Sequence, residues 1–152
     1  MFTRVITERK IELEKNSLKK DELLSLKKVI SDAFEKRSSV SNFPLRVIFN
    51  PAILPSNKPV QVLFTVPKRN FKLAVDRNRI RRRIKEAYRQ NKHDLYRYLK
   101  QNNIQLAIVI IYVGKKEIPY SEIEEKLILS LQKIPNLSEK LLIDRKKANE
   151  AS

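Results

Sequence analysis

The sequence contains no cysteine, one glycine, one histidine and only 17 acidic residues against 33 basic ones. Without cysteine there is no disulfide and no thiolate metal site. With His93 alone, no acidic cluster at metal-ligand spacing and no serine–histidine–aspartate set, we expect neither a metal site nor a catalytic residue in this chain. The longest apolar run, 106–113, has eight residues, whereas a bilayer needs ~20, and the N-terminus lacks the apolar core of a signal peptide. We therefore expect a cytoplasmic protein without a membrane partner.

The positive charge is concentrated in one part of the chain. The formal net charge is +16, and residues 67–100 hold 13 basic and 3 acidic residues. The other 118 residues hold 20 basic and 14 acidic ones, so their excess is much smaller. A localised basic patch in a chain of 152 residues, long enough for one domain with a real core, is the expected footprint of a nucleic-acid binder.

Residues 74–89 read AVDRNRIRRRIKEAYR and predict a helix with one buried stripe. Four apolar residues follow the spacing i, i+4, i+7, i+8: Ile80, Ile84, Ala87 and Tyr88. Four polar residues point the opposite way: Asn78, Arg82, Lys85 and Arg89. The segment has only two acidic residues, Asp76 as a predicted N-cap and Glu86, so most of its charge has no local partner. Unpaired arginine on a rigid support suits phosphate recognition, because the guanidinium binds two oxygens at once.

The remaining periodicities predict the other elements. We expect a helix over 21–37, strands over 43–50 and 59–66, a strand over 104–113, and a helix opened by a Ser121–Glu124 capping box and ended by Pro135. The order helix, strand, strand, basic helix, strand, helix predicts an α+β fold, a two-layer α/β sandwich. We divide the chain into a loosely ordered extension (1–17), one domain (18–134) and a charged tail (135–152).

The segment 66–89, VPKRNFKLAVDRNRIRRRIKEAYR, resembles the protein subunit of bacterial ribonuclease P, whose "RNR" signature matches Arg77-Asn78-Arg79. The pieces 33–36, 39–40 and 45–49 look like that family's first helix and first strand, and the resemblance spans roughly 18–134. It implies a central mixed sheet with a left-handed β-α-β crossover around the basic helix, as in a domain of a small-subunit ribosomal protein. The general preference for right-handed crossovers would not predict this.

The resemblance implies an accessory role in cutting the 5′ leader from precursor tRNA. The catalytic RNA would carry the chemistry and the Mg²⁺ ions that the holoenzyme requires, and the protein would bind that RNA and the leader. The residues implied to contact RNA are Lys68, Arg69, Lys72, Arg77, Asn78, Arg79, Arg81, Arg82, Lys85 and Arg89. Charged groups at these positions would neutralise phosphates and release counterions, and the amide of Asn78 could hydrogen-bond a 2′-hydroxyl or a base edge.

The resemblance also implies a leader-binding cleft between the first helix and the sheet. Phe34 and Phe49 are candidates to stack unpaired bases there, with Arg46 on the backbone; the alternative for both aromatics is a place in the core. The chain departs from the family pattern at Arg37, where a glycine is common, at Ile30, where an aromatic is common, and at Arg83, where a leucine is common.

Two other functions fit a basic helix on a small domain. A ribosomal or other structural RNA-binding protein would bind its RNA without any role in cleavage. A DNA-binding regulator would insert residues 74–89 into a major groove. Since the sequence has no two-helix reading unit and no dimer seam, we expect no DNA partner.

Overall fold

A computed structural model describes Glu22, residues 38–54 and residues 57–150 of the chain. The predicted extension 1–17 and, apart from Glu22, the predicted helix 21–37 lie outside these residues. The helices and strands are β1 (Ser38–Asn42), β2 (Leu45–Pro51), β3 (Val60–Thr65), α1 (Ala74–Asn91), α2 (His93–Gln101), β4 (Leu106–Tyr112) and α3 (Tyr120–Glu150).

The four strands form one mixed sheet in the order β1-β2-β4-β3. The pairs β1–β2 and β2–β4 are antiparallel, whereas β3 and β4 are parallel and lie side by side. A parallel pair needs a long crossover connection, and here α1 and α2 supply it. The predicted α+β fold with a mixed sheet, and the predicted adjacency of the strands on either side of the basic helix, are confirmed.

The two faces of the sheet have different surroundings. One face, the helix-covered face, contributes Val47, Phe49 and Ile110 to a large core that includes Ile84 of α1 and Leu127 of α3. Because side chains alternate along a strand, their neighbours point to the opposite face. There Ile48, Ala107 and Val109 form a smaller buried cluster with the half-buried Leu63 and Ile111 packed against it. We call this the second face.

The region around the first predicted strand differs from the prediction. The strand begins at Leu45 rather than at residue 43, because residues 43–44 form the turn that joins it to β1. Strand β1 was not predicted, and Val40 is its only apolar residue. A short edge strand of this kind carries too little alternation to be recognised from its sequence.

Two further differences concern helices. The nine-residue helix α2 was not predicted, although Leu95, Tyr96 and Leu99 give it a buried face. Pro135 does not end the last helix, which continues from Tyr120 to Glu150, so the predicted tail begins inside α3. Leu141 and Leu142, beyond the proline, pack against the core, and this burial offsets the backbone hydrogen bond that a proline removes.

Both predicted helix caps are also wrong. Leu73 occupies the N-cap position of α1 and makes no side-chain capping bond, and Asp76 lies in the first turn. Since α3 begins at Tyr120, Ser121 already lies inside its first turn and does not cap it. Asp76 instead forms an ion pair with Arg79 of the same helix.

Candidate RNA-binding surface

Helix α1 is anchored by the stripe that its sequence predicts. Ile80, Ile84, Ala87 and Tyr88 are each 0% exposed, which confirms the predicted helical phase. The ring of Tyr88 meets the ring of Phe64 edge-on, with 5.4 Å between centroids. The outward side of α1 is therefore a rigid support, since its inward side is held in a close-packed core.

A buried polar network holds the C-terminal end of α1 against α2. The side chain of Lys92 donates to a carboxylate oxygen of Glu22 at 2.7 Å, and the hydroxyl of Tyr96 donates to the same oxygen at 2.8 Å. The hydroxyls of Tyr88 and Tyr96 lie 2.8 Å apart, and burial raises the pKa of both tyrosines above the ordinary value. The neighbouring His93 is half-buried, and burial followed by the charge of Lys92 lowers its pKa. No local sequence signal indicates this network, because Glu22 lies 70 residues from Lys92.

Two arginines of α1 donate hydrogen bonds to backbone carbonyl groups of neighbouring connections. Arg77 donates to the backbone carbonyl oxygens of Phe71 and Lys72, at 2.8 and 2.9 Å. Arg83 donates to the carbonyl oxygen of Ile118 at 3.0 Å. These bonds connect α1 to the connection that precedes it and to the connection between β4 and α3.

Arg79 is held by two carboxylates. Its guanidinium contacts Glu117 at 2.9 Å and Asp76 at 2.7 Å, and hydrogen bonding and charge from Glu117, ahead of Asp76, raise the pKa of Arg79. The expectation that most of this charge lacks a partner is therefore wrong for Arg79. Glu117 is 38 residues away, so its role could not be read from helical spacing.

Arg89 is also paired, within its own helix. Two of its nitrogens donate to the two oxygens of Glu86, at 2.9 and 2.6 Å. Hydrogen bonding to Arg89 lowers the pKa of Glu86, and the same contact raises the pKa of Arg89. This pair reduces the positive charge at the C-terminal end of the predicted basic face.

The cations whose charge remains available lie in the connection before α1 and in the middle of α1. In the part of the chain that the structure describes, none of them forms an ion pair, and all are exposed: Lys68, Arg69, Lys72, Arg82 and Lys85. Asn78 is exposed among them, and its side-chain oxygen accepts a hydrogen bond from Arg81 at 2.9 Å. The amide nitrogen of Asn78 thus keeps its donor capacity. We call these five cations together with Asn78 the cationic surface.

The three predicted leader-binding residues are not together in the described residues. Phe34 lies outside them. Phe49 is 0% exposed within the core of the helix-covered face, which is the core position given as its alternative, and it presents no ring face to a base. Arg46 is half-buried on the second face, where it is paired with Ile111 of β4.

Across Glu22, 38–54 and 57–150, no three histidine or acidic side chains lie close enough together to hold a metal ion. In the same part of the chain, no helix is both long and apolar enough to span a bilayer. The cationic surface is therefore the candidate functional site.

The fold and this site define a small α+β protein with a rigid cationic surface suited to phosphate groups. Residues 18–135 match the family model described as Ribonuclease P, and the chain belongs to this family. It is 34% identical over 136 residues to the ribonuclease P protein component of Chlorobium phaeobacteroides, covering 84% of this chain and 93% of that protein. It is 32% identical over 117 residues to the corresponding protein of Porphyromonas gingivalis, covering 77% and 85%.

Solved structures of ribonuclease P proteins have the same fold as this chain. The ribonuclease P protein from Thermotoga maritima superposes with a TM-score of 0.60 at 22% identity, covering 74% of this chain and 97% of that one. The Staphylococcus aureus protein gives 0.55 at 19% identity, covering 73% and 93%. The arrangement of one sheet and its helices is thus shared with this family.

Proposed function

We propose that this chain binds the catalytic RNA of ribonuclease P and the 5′ leader of precursor tRNA, and so aids removal of the leader to give the mature tRNA 5′ end. The observation that carries the proposal is the cationic surface: five exposed cations and one amide on and beside a helix whose other side is fully buried. Such an array neutralises phosphates without the cost of ordering the helix backbone on binding, because α1 is already packed on the core.

The basic residues on and beside α1 have two different roles in this proposal. Arg82 and Lys85 contact RNA directly, together with Lys68, Arg69 and Lys72 before the helix. Arg77, Arg79 and Arg83 support the RNA contact indirectly. Their guanidinium groups hold the β3–α1 and β4–α3 connections against α1. Bond cleavage and the Mg²⁺ ions belong to the RNA in this proposal, and the protein supplies binding in the cytoplasm.

The leader is contacted by Arg46 on the second face and by Phe34, whereas Phe49 is buried and takes no part. A row of half-buried residues crosses the second face at the end nearest Arg46, formed by Arg46, Ile111 and Thr65 on adjacent strands. Arg46 would bind the backbone of a single RNA strand there, and Phe34 would supply the aromatic ring on which an unpaired base stacks.

Reconstitution with the catalytic RNA tests the function. The protein alone should cleave nothing, and with its RNA it should cut precursor tRNA at the mature 5′ end at low Mg²⁺, where the RNA alone is slow. A structural RNA-binding protein would bind ribosomal RNA tightly and leave this cleavage unchanged. Absence of stimulation at low Mg²⁺ by folded protein would refute the proposal.

A further inference from the structure

The pairing of Arg79 interrupts the positive charge of α1. Its guanidinium lies 2.7 Å from the carboxylate of Asp76, three residues earlier in α1, and 2.9 Å from that of Glu117 in the β4–α3 connection. One guanidinium and two carboxylates give these three residues, which we call the Arg79 cluster, a net charge of one negative unit. A protein whose formal net charge is +16 therefore carries a small acidic group beside its cationic surface.

The Arg79 cluster lies at one border of the cationic surface. At about 100° per residue, Arg79 is about 60° around α1 from Arg82, and its contact with Glu117 shows that this is the side of the β4–α3 connection. Asn78 and Lys85 lie on the other side of Arg82. An RNA phosphate that moves from Arg82 toward the β4–α3 connection thus meets two carboxylates.

The position of Glu117 is fixed by bonds on both sides of it in the chain. The hydroxyl of Tyr112 donates to the carbonyl oxygen of Lys116, and Arg83 donates to that of Ile118 at 3.0 Å. Tyr112 is fully buried, so the connection is attached to the core as well as to α1. The carboxylate of Glu117 is therefore held near α1 before any RNA arrives, and little conformational entropy is lost when its ion pair forms.

The two ion pairs can compete with RNA without excluding it. The side chains of Arg79, Asp76 and Glu117 are 47%, 31% and 29% exposed. Water screens pairs of this exposure, so each changes an affinity severalfold rather than by orders of magnitude. Sequence-independent RNA binding increases with the number of cations that can reach phosphates. A cation that is kept paired is thus removed from this non-specific binding.

We propose that Glu117 is a specificity-determining residue, which with Asp76 keeps Arg79 paired and so lowers the affinity of this chain for RNA other than its catalytic RNA. The inference rests on the proposed function and adds to it a reason for two carboxylates beside an RNA-binding surface. Specificity is a difference between two affinities, and repulsion of the wrong partner increases it as attraction of the right one does. The catalytic RNA is held by the cationic surface, whereas an unrelated RNA can turn to reach any cation that is free.

The first experiment compares Glu117→Gln with Glu125→Gln, an equal change of charge at an exposed position of α3. Affinity is measured for the catalytic RNA and for a duplex RNA of unrelated sequence. Glu117→Gln should bind the unrelated duplex about two- to fivefold more tightly, the size of an exposed ion pair, and with a steeper dependence of log affinity on log salt. Adding Asp76→Asn should enlarge this gain. The affinity for the catalytic RNA should change by less than about twofold, because the cationic surface already fixes its position.

The second experiment identifies Arg79 as the cation that is released. Arg79→Gln is introduced alone and together with Glu117→Gln, and binding to the unrelated duplex is measured for these variants and the wild type. Arg79→Gln should weaken binding more in the Glu117→Gln background than in the wild type, because only there is the guanidinium released from Glu117. If each charge acted independently on the RNA, the two losses would be equal. Glutamine keeps hydrogen-bonding groups at both positions, and equal melting temperatures show that the variants are folded.

Four results would each overturn the inference. They are no gain in Glu117→Gln, a gain of the same size for the catalytic RNA, a gain of the same size in Glu125→Gln, and equal losses from Arg79→Gln in the two backgrounds. The proposed function would stand in each case if the wild-type protein still stimulates cleavage at low Mg²⁺. Absence of that stimulation is a separate result, which refutes the proposed function.

Discussion

Replacing Arg82 by alanine tests RNA contact separately from folding. Arg82 is exposed, lies opposite the buried stripe and forms no ion pair with any residue that the structure describes. Alanine has the highest helix propensity, so the variant should fold and melt like the wild type. Its affinity for the catalytic RNA should fall, because a guanidinium that binds a phosphate is lost.

The size of the effect follows from counterion release. One lost contact should reduce the slope of log affinity against log salt by about 0.7–0.9, so over a fourfold salt range the affinity of the variant changes about threefold less than that of the wild type. Filter binding or fluorescence anisotropy over such a range measures this slope. Arg82→Lys should restore the slope and recover only part of the affinity, because it keeps the charge and loses the planar fork.

Arg97→Ala is the matched control. It removes the same group from α2, where Arg97 is 70% exposed and lies 3.9 Å from Asp94, and it should leave the slope unchanged. If Arg82→Ala and Arg97→Ala gave the same slope as the wild type, the outward side of α1 would not be the RNA contact. Equal reductions in both variants would show a general effect of net charge rather than a defined surface.

Three further predictions concern stability. Ile84→Ala removes most of a side chain that is 0% exposed, and it should lower the free energy of unfolding by about 2–5 kcal/mol; unaltered denaturant unfolding would show that the helical phase is wrong. Glu22→Gln should lower the free energy of unfolding by about 3–5 kcal/mol, because it leaves the 3%-exposed Lys92 side chain charged without its carboxylate. Adding Lys92→Met to this variant should restore part of the lost stability, which a double-mutant cycle measures. Gly114→Ala should cost about 1–3 kcal/mol by overpacking, since its new Cβ would lie 3.1 Å from the Tyr112 ring; an unchanged melting temperature would contradict the close approach.

The buried stripe of α1 and the strands β3 and β4 could be predicted because their signals are local. The spacing of Ile80 and Ile84 is enough to predict which side of α1 is buried. The long apolar run of β4 is typical of a strand covered on both faces. Strand β1 was not predicted, because its formation depends on pairing with β2 and not on a local pattern of apolar residues. Its pairing with β2 supplies the hydrogen bonds, and one buried valine is too little for a sequence pattern.

The candidate site was predicted less completely than the fold. Ten residues were assigned to RNA as a group, yet four of the arginines are engaged with the protein or a helical neighbour: Arg77, Arg79, Arg81 and Arg89. Conversely, Glu117 contacts Arg79 although 38 positions separate them in the sequence. No spacing rule for a single helix or strand relates such positions.

The sequence by itself determined that this chain carries an amphipathic basic helix between two strands, because periodicity and charge are properties of neighbouring residues. The tertiary structure decided which of those charges remain available, because Glu117 and the carbonyl of Ile118 reach α1 from 38 and 35 residues away. It also decided which side of the sheet each strand residue faces, and so placed Phe49 in the core and Arg46 on the second face. Hydrogen bonds and charge pairing act over a few ångströms in space, whatever the separation along the chain.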